Sequence, residues 1–413
     1  MATRVAIDIG STVIKVAELG QDGSLVRQEF NDRDFELGIA GQVCAIRERL
    51  PADAEVMICS SANGGLRVGI VCLTPLFSGA VFRNQVLLAG ANPIYVHDYD
   101  QDGGDLRPVD ILLLGGGIDC SDAAPFGERL ARFRAQNYRY GTLIYAGNKH
   151  FAEVVTQSCP EAVVIDNPLS DGLRGRNAVV THALRDAYLD DLVQKEGVSE
   201  LQGRISGPIR PSPEVVNRGF HRVVSNRSAL KVSGPSILID IGGATTDLHY
   251  TVEIVSEDSP CRPAAGSSVA RYVFTDLGIF ASRDSTLLQM RTHARTFEFL
   301  SHVQKADLTE IYTLLREGEY DASPELLAYA CLFLSLDRFV YGGEEGLPRA
   351  DFDKVTQVML TGGGAQALDE RIVAKLVCLF SPKQRNEPEV LIDRRYQIWA
   401  EGITWSTNTR AAA

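Results

Sequence analysis

The chain has 413 residues, 45% of them hydrophobic and 23% charged, with a formal net charge of −12 at pH 7. That length supports two or three domains with sizeable cores. So acidic a chain is ill suited to non-specific binding of a nucleic-acid backbone or an anionic membrane, although a small polyanion can still be held by backbone amides and a cation. The eight cysteines are scattered and form no C-x-x-C pair, which argues against a zinc knuckle. No apolar run reaches membrane-spanning length, and with Ile7 already inside the first strand no signal peptide is expected. The expectation is a reduced, cytoplasmic protein.

Residues 3–19 read as strand, tight turn, strand, with Val5-Ala6-Ile7-Asp8-Ile9 running into Gly10-Ser11-Thr12. A further strand at 25–30, a helix at 38–50 stopped by Pro51 and a short strand at 55–59 follow. Residues 60–67 are turn-rich and lead into an apolar strand at 68–73; residues 76–91 have a helical pattern. A second α/β block begins at Val109, where a continuous apolar run ends in Gly115-Gly116-Gly117. Strands ending at Gly147-Asn148 and at Asp166-Asn167-Pro168 repeat that form, with helices near 125–136 and 149–157 between them. Such alternation implies a parallel sheet. Residues 175–230 read as mostly helical, broken at 206–213. The opening motif then returns as Leu238-Ile239-Asp240-Ile241-Gly242-Gly243-Ala244-Thr245-Thr246-Asp247. Helices near 284–302 and 324–341 lead to a strand at 356–361, which ends in Gly362-Gly363-Gly364 ahead of a helical pattern over 365–379.

A triphosphate needs backbone N–H donors at close range and a cation to spread its charge. Gly10-Ser11-Thr12 and Gly242-Gly243-Ala244-Thr245-Thr246 each offer such donors plus hydroxyls. Asp8 and Asp240, at strand ends, are placed to hold a hydrated Mg²⁺, which usually keeps several waters and one or two carboxylates. Lys15 is placed to neutralise phosphate, and Asp247 to orient an attacking water or act as its base. Gly362-Gly363-Gly364 reads as an adenosine-facing turn at a helix N-terminus, or as a close strand–helix packing turn. Rival nucleotide motifs are missing: there is no G-x-x-x-x-G-K-[ST], and Cys120 prevents Gly115-Gly116-Gly117 from completing G-x-G-x-x-G. His249 reads as a packed strand histidine, and Asp276 as either a cleft or a turn residue.

The two hairpins and the late glycine turn resemble the phosphate-1, phosphate-2 and adenosine elements of the actin/Hsp70/sugar-kinase ATPase superfamily. Asp-Ile-Gly-Gly-Ala-Thr-Thr-Asp at 240–247 is similar to one branch, the MutL/GlmL proteins associated with glutamate mutase, and so are Cys59-Ser60-Ser61-Ala62-Asn63-Gly64-Gly65-Leu66, Asp110–Asp119, Tyr145-Ala146-Gly147-Asn148, Pro211-Ser212-Pro213 and Thr275-Asp276-Leu277-Gly278. Phe274-Thr275 and Ile118-Asp119-Cys120-Ser121 depart from that branch's pattern. The resemblance implies two ribonuclease-H-like α/β domains around an interdomain nucleotide cleft, at 1–104 and 236–413, with an inserted α/β segment and helical connection at 105–235. It further implies ATP and Mg²⁺ as ligands, and an ATPase that reactivates an adenosylcobalamin-dependent mutase. A small-molecule kinase or hydantoinase/oxoprolinase-like enzyme, and a non-hydrolysing scaffold, remain the alternatives.

Overall fold

The computed structural model describes residues 3–10, 13–20, 24–34, 36–61, 66–89, 91–100, 107–119, 126–170, 179–184, 186–187, 209–256, 259, 268–304, 307–342, 347–381 and 387–404. The chain begins with an antiparallel meander, β1 (Arg4–Ile9), β2 (Val13–Leu19) and β3 (Leu25–Asp32), in which Asp8 lies opposite Lys15. After α1 (Gly38–Glu48), β4 (Glu55–Ser60) joins the free side of β1 in parallel.

The chain then leaves this sheet to build another. Strands β5 (Arg67–Cys72), β6 (Asn92–Asp98), β7 (Val109–Gly115), β8 (Tyr140–Ala146) and β9 (Val163–Ile165) form an all-parallel sheet of order β6-β5-β7-β8-β9. Helices α2 (Ala80–Leu88), α3 (Phe126–Ala135) and α4 (Ala152–Ser158) make the crossovers, α2 through a π-helical turn at Pro75–Gly79. Both faces of the sheet are covered, which is why β7 reads as an unbroken apolar run. Ile111 and Leu113 pack on one face with Phe82 and Val86 of α2. Leu112 and Leu114 pack on the other with Phe126, Leu130 and Phe133 of α3. The inserted segment was expected to begin at 105, but its sheet takes in strands from Arg67 onward. The apolar pattern at 68–73 specifies a strand and is silent on its partner, and β5 pairs with β6 and β7 rather than with β4.

A two-residue strand, β10 (Arg210–Pro211), returns the chain to the edge of β4 and opens α5 (Ser212–Val224). A second meander follows, β11 (Ser236–Ile241), β12 (Thr246–Thr251) and β13 (Val269–Phe274). Helices α6 (Arg283–Thr292), α7 (Thr296–Val303), α8 (Leu308–Glu317) and α9 (Pro324–Tyr341) intervene before β14 (Gln357–Thr361) adds in parallel to β11. Then come α10 (Glu370–Cys378), β15 (Glu389–Ile392) and α11 (Gln397–Thr404). The order β13-β12-β11-β14-β15 matches β3-β2-β1-β4-β10 strand for strand. Each is a three-stranded antiparallel meander with two parallel strands beyond its first strand, so the two halves are topological copies.

Two long helices of the sequence reading are broken by local hydrogen bonds. The pattern at 284–302 divides into α6 and α7 because the Thr296 hydroxyl donates back to the carbonyls of Met290 and, at 2.8 Å, of His293. The pattern at 365–379 divides into a 3₁₀ turn, Gly364–Ala367, and α10, because the Asp369 side chain caps the amides of Arg371 and Ile372.

The two copies share a core around α5 and α11. Ala6, Ala17 and Cys59 of the first sheet and Leu238, Val269 and Met359 of the second pack on Val215, Phe220, Ile398 and Trp399. The helices cross at paired glycines: a Cβ on Gly402 would overlap the Val215 carbonyl, and one on Gly219 the Ile398 carbonyl.

Candidate functional site

A cleft of about 390 Å³ opens where the two copies face each other above this core. That volume suits a small-molecule ligand. Both hairpins contribute to it with the same local geometry. Gly10 N donates to Val13 O at 2.9 Å, and Gly242 N donates to Thr245 O at 2.9 Å. A side chain at either glycine would crowd the accepting carbonyl at 2.8–2.9 Å. In the second hairpin the turn carbonyls are tied down from behind. Ile279 N donates to Gly242 O, Phe280 N and Ala281 N donate to Gly243 O, and Ser282 Oγ donates to Ala244 O. Among the described residues no acceptor engages the amides of Gly243, Ala244 or Thr245, all of which line the cleft. Fixed carbonyls behind and open amides in front make an anion cradle.

The cleft gathers Asp8, Gly10, Lys15, Asp240, Gly242, Gly243, Ala244, Thr245, Asp247, Gly362, Gly363 and Gly364. Ser11 and Thr12 lie outside the described residues. Thr246 does not line the cleft: its hydroxyl turns into the core and donates to Leu277 O at 3.1 Å.

The topological repeat exposes a chemical asymmetry. Asp8 lies opposite Lys15 across the first hairpin, whereas Asp240 lies opposite Asp247 across the second. The first pair is an ion pair, Lys15 Nζ to Asp8 Oδ2 at 3.0 Å. Burial alone would lower the Lys15 pKa, but Asp8, Tyr396 and Asp240 outweigh it and raise it. Asp8 Oδ1 accepts from the Ser212 hydroxyl and from Cys59 Sγ at 3.3 Å, so both its oxygens are engaged. The Asp240 side chain has no hydrogen bond among the described residues. Its pKa is pushed up to about 7, by burial first, then by Asp247 and Asp8, against the pull of Lys15 and Arg271. Its Oδ1 rests against Gly362, whose φ of +88° and missing Cβ leave it room. A part-buried carboxylate with no hydrogen-bond partner for its side chain, beside a second carboxylate, fits a divalent cation. Among the described residues no three acidic, histidine or cysteine groups converge on one point. A cation here would therefore keep several waters, as Mg²⁺ does, and spread the charge of bound phosphates.

Asp247 is not a free base. It forms a buried ion pair with Arg271, their side chains 7% and 1% exposed. Burial raises its pKa, and Arg271 pulls the other way. This partner was invisible in the sequence, because it depends on the register of β12 against β13. So too with the aromatic wall: Lys15 Nζ sits 3.8 Å from the Tyr396 ring centroid and 4.7 Å from that of Trp399. The Trp399 Nε1 donates to Cys59 Sγ at 3.1 Å, while Trp405 lies outside the described residues. Burial, then the Asp8 charge, holds the Cys59 thiol well above its usual pKa, so it stays protonated. Ser212 and Cys59 fall within stretches that carried the family resemblance; nothing local marks Tyr396.

Gly363 faces open space at the cleft wall. The segment after it is a 3₁₀ turn, so the glycine turn does not sit at an α-helix N-terminus. His249 is a packed strand histidine, its Nδ1 3.0 Å from Asn217 Oδ1. Gly116 and Gly147 pack closely, since a Cβ on Gly147 would overlap the Gly116 backbone and one on Gly116 the Tyr145 hydroxyl. Asp276 is a turn residue, bound by both guanidinium arms of Arg338 at 3.0 and 2.8 Å. Asp276→Ala should accordingly cost about 1–2 kcal/mol in urea denaturation and leave nucleotide affinity unchanged; weaker binding at full stability would return Asp276 to the cleft.

Paired ribonuclease-H-like halves around such a cleft define the actin/Hsp70/sugar-kinase type of α/β fold. The chain belongs to the MutL protein family, which it matches over residues 4–413. It is 23% identical over 281 residues to Protein MutL of Clostridium tetanomorphum, a match covering 64% of this chain and 60% of that protein, less than two thirds of the relative's length. Among solved structures, it is similar to component A of the (R)-2-hydroxyglutaryl-CoA dehydratase of Acidaminococcus fermentans, at 9% identity over 98% of this chain and 95% of that one, with a TM-score of 0.34. It is also similar to a ROK family glucokinase from Streptomyces griseus in complex with glucose and AMPPNP, at 11% identity over 97% and 98% of the two chains, with a TM-score of 0.33. A third is the activator of the 2-hydroxyisocaproyl-CoA dehydratase from Clostridium difficile with bound ADPNP, at 9% identity over 97% and 92%, with a TM-score of 0.29. Among the described residues no helix is long and apolar enough to cross a membrane.

Proposed function

We propose that the cleft binds ATP with Mg²⁺ and hydrolyses it, and that the protein is an ATP-dependent reactivating factor for an adenosylcobalamin-dependent mutase such as glutamate mutase. The observation that carries the nucleotide part is the second hairpin, whose carbonyls are pinned and whose three amides without acceptors line the same cleft as the unpartnered Asp240 side chain. The amides of 243–245 receive phosphate oxygens, and Asp240, with Asp8 through water, holds the cation. Gly363 and Gly364 leave space for the nucleoside. Asp247 orients the attacking water. The partner is read from membership of the MutL family. Two topologically matched halves hinged on α5 and α11 suit a protein whose interdomain angle follows its nucleotide.

A partner that prefers one nucleotide state must in return change nucleotide affinity. Titration of a co-encoded mutase with ATP, ADP and no nucleotide should give dissociation constants that differ by about fivefold or more. Equal affinity in all three states, with no recovery of inactivated mutase, would overturn the reactivase reading in favour of a small-molecule enzyme.

A further inference from the structure

A guanidinium cannot shed its proton inside a protein, so a buried arginine has to be fully paired. Arg271 places its three bonds unusually. Nε donates to Asp247 Oδ1 at 2.8 Å, and Nη2 donates to the same oxygen. An ordinary fork takes both carboxylate oxygens, as Arg338 does on Asp276. Here both arms end on Oδ1, so Arg271 grips Asp247 by one oxygen, and the carboxylate, which lines the cleft, also receives the Thr245 hydroxyl.

The third bond reaches another part of the molecule. Nη1 donates at 2.8 Å to the carbonyl of Leu87, in the last turn of α2. Such end carbonyls lack intrahelical partners and favour a cation. Helix α2 belongs to the inserted parallel sheet, packing under β5 and β6, and its other side lies on β13, which carries Arg271. A single buried side chain therefore bonds at once to the second hairpin and to the inserted unit.

We infer that Arg271 is a positioning residue that makes the orientation of Asp247 depend on the position of α2, and so links the inserted parallel-sheet unit to hydrolysis in the cleft. This rests on the ATPase reading for its catalytic consequence. A partner that displaces the inserted unit moves the Leu87 carbonyl, rotates the guanidinium and turns the Asp247 carboxylate away from the attacking water. The same bonds report the state of the cleft back to α2, as reciprocity of coupling requires.

Two measurements test this, one of which needs no nucleotide. In the first, backbone hydrogen exchange at residues 86–89 is compared in the parent, Asp247→Asn, Arg271→Lys and the double variant. Each single change should speed exchange by about tenfold, and the double should be no faster than the faster single, because the bonds act as one unit. Effects that multiply in the double, or no change at 86–89, would overturn the link. In the second, phosphate release by Arg271→Lys and Arg271→Met should show kcat reduced by about 10- to 100-fold with KM for ATP within about threefold, lysine recovering part of what methionine loses. Parent-like kcat in folded Arg271→Met, or kcat and KM lost together, would overturn the positioning role. Should the methionine variant fail to fold, the lysine variant carries both readouts. A parent protein that binds no ATP would end the ATPase reading, while the exchange cycle would still decide whether Asp247 and α2 are linked.

Discussion

Asp240→Asn is expected to be more stable than the parent at pH 8 without divalent cation, and to release phosphate about 10²- to 10³-fold more slowly. Both effects have one cause. Burial and the carboxylates of Asp247 and Asp8 raise the Asp240 pKa from an ordinary 3.8 to about 7. A carboxyl raised on folding favours the native state while protonated, and that contribution is complete below about pH 4 and lost as pH rises through about 7. The asparagine variant has no charge to bury, so its advantage should be nil near pH 4, grow toward pH 7 and level off above. The gap between 3.8 and about 7 sets a ceiling of about 4 kcal/mol. Solvent reaching the cleft brings the expected difference nearer to about 2 kcal/mol. Millimolar Mg²⁺ should close it by binding the parent alone. Urea denaturation at pH 4.5, 7 and 8.5, with and without Mg²⁺, checks this. A variant less stable than the parent at pH 8 without metal would contradict the strained carboxylate, and parent-like hydrolysis would remove Asp240 from the chemistry.

Gly402→Leu should lose about 3 kcal/mol or more of stability, the upper end of the cost of overpacking. The α5–α11 crossing cannot open locally, because Val215, Phe220, Ile398 and Trp399 there belong to one buried cluster with residues of both sheets. A Cβ at Gly402 would overlap the Val215 carbonyl, a backbone atom with no rotamer to yield. Parting the helices would open voids against Met359 and Leu238 and disturb the Trp399–Cys59 contact beneath Asp8. Gly363→Ala is the matching control, since nothing lies within 4 Å of a Cβ built there; its thermal midpoint should stay within about 1–2 °C of the parent, as for an ordinary surface change. Equal midpoints for Gly402→Leu and Gly363→Ala would show that the crossing does not hold the two halves together.

The hairpins were legible because their geometry is local. An apolar strand ending in Asp-x-Gly dictates its own turn, and two copies with a late Gly-Gly-Gly dictate a repeat. The paired halves followed from that. What escaped depends on pairing between distant segments. The apolar run at 68–73 specifies a strand, but its place in the inserted sheet rests on its bonds to β6 and β7. The cluster under Asp8 draws Lys15, Cys59, Ser212, Tyr396 and Trp399 from across the chain. In the motif Thr246 reads as one more phosphate hydroxyl, yet it is the first residue of β12 and its hydroxyl turns inward to Leu277. Setting the hairpins side by side would have shown Lys15 at the position of Asp247. The sequence offered no sign that Arg271 answers the resulting pair of acids.

Isothermal calorimetry of the folded protein with Mg·ATP, run beside a thermal melt, tests the central claim most directly. The cleft geometry predicts a single saturable site of unit stoichiometry, weakened in Asp240→Asn, and a melting temperature that climbs with ATP concentration above Kd. Absence of both heat and thermal stabilisation at millimolar Mg·ATP would contradict it.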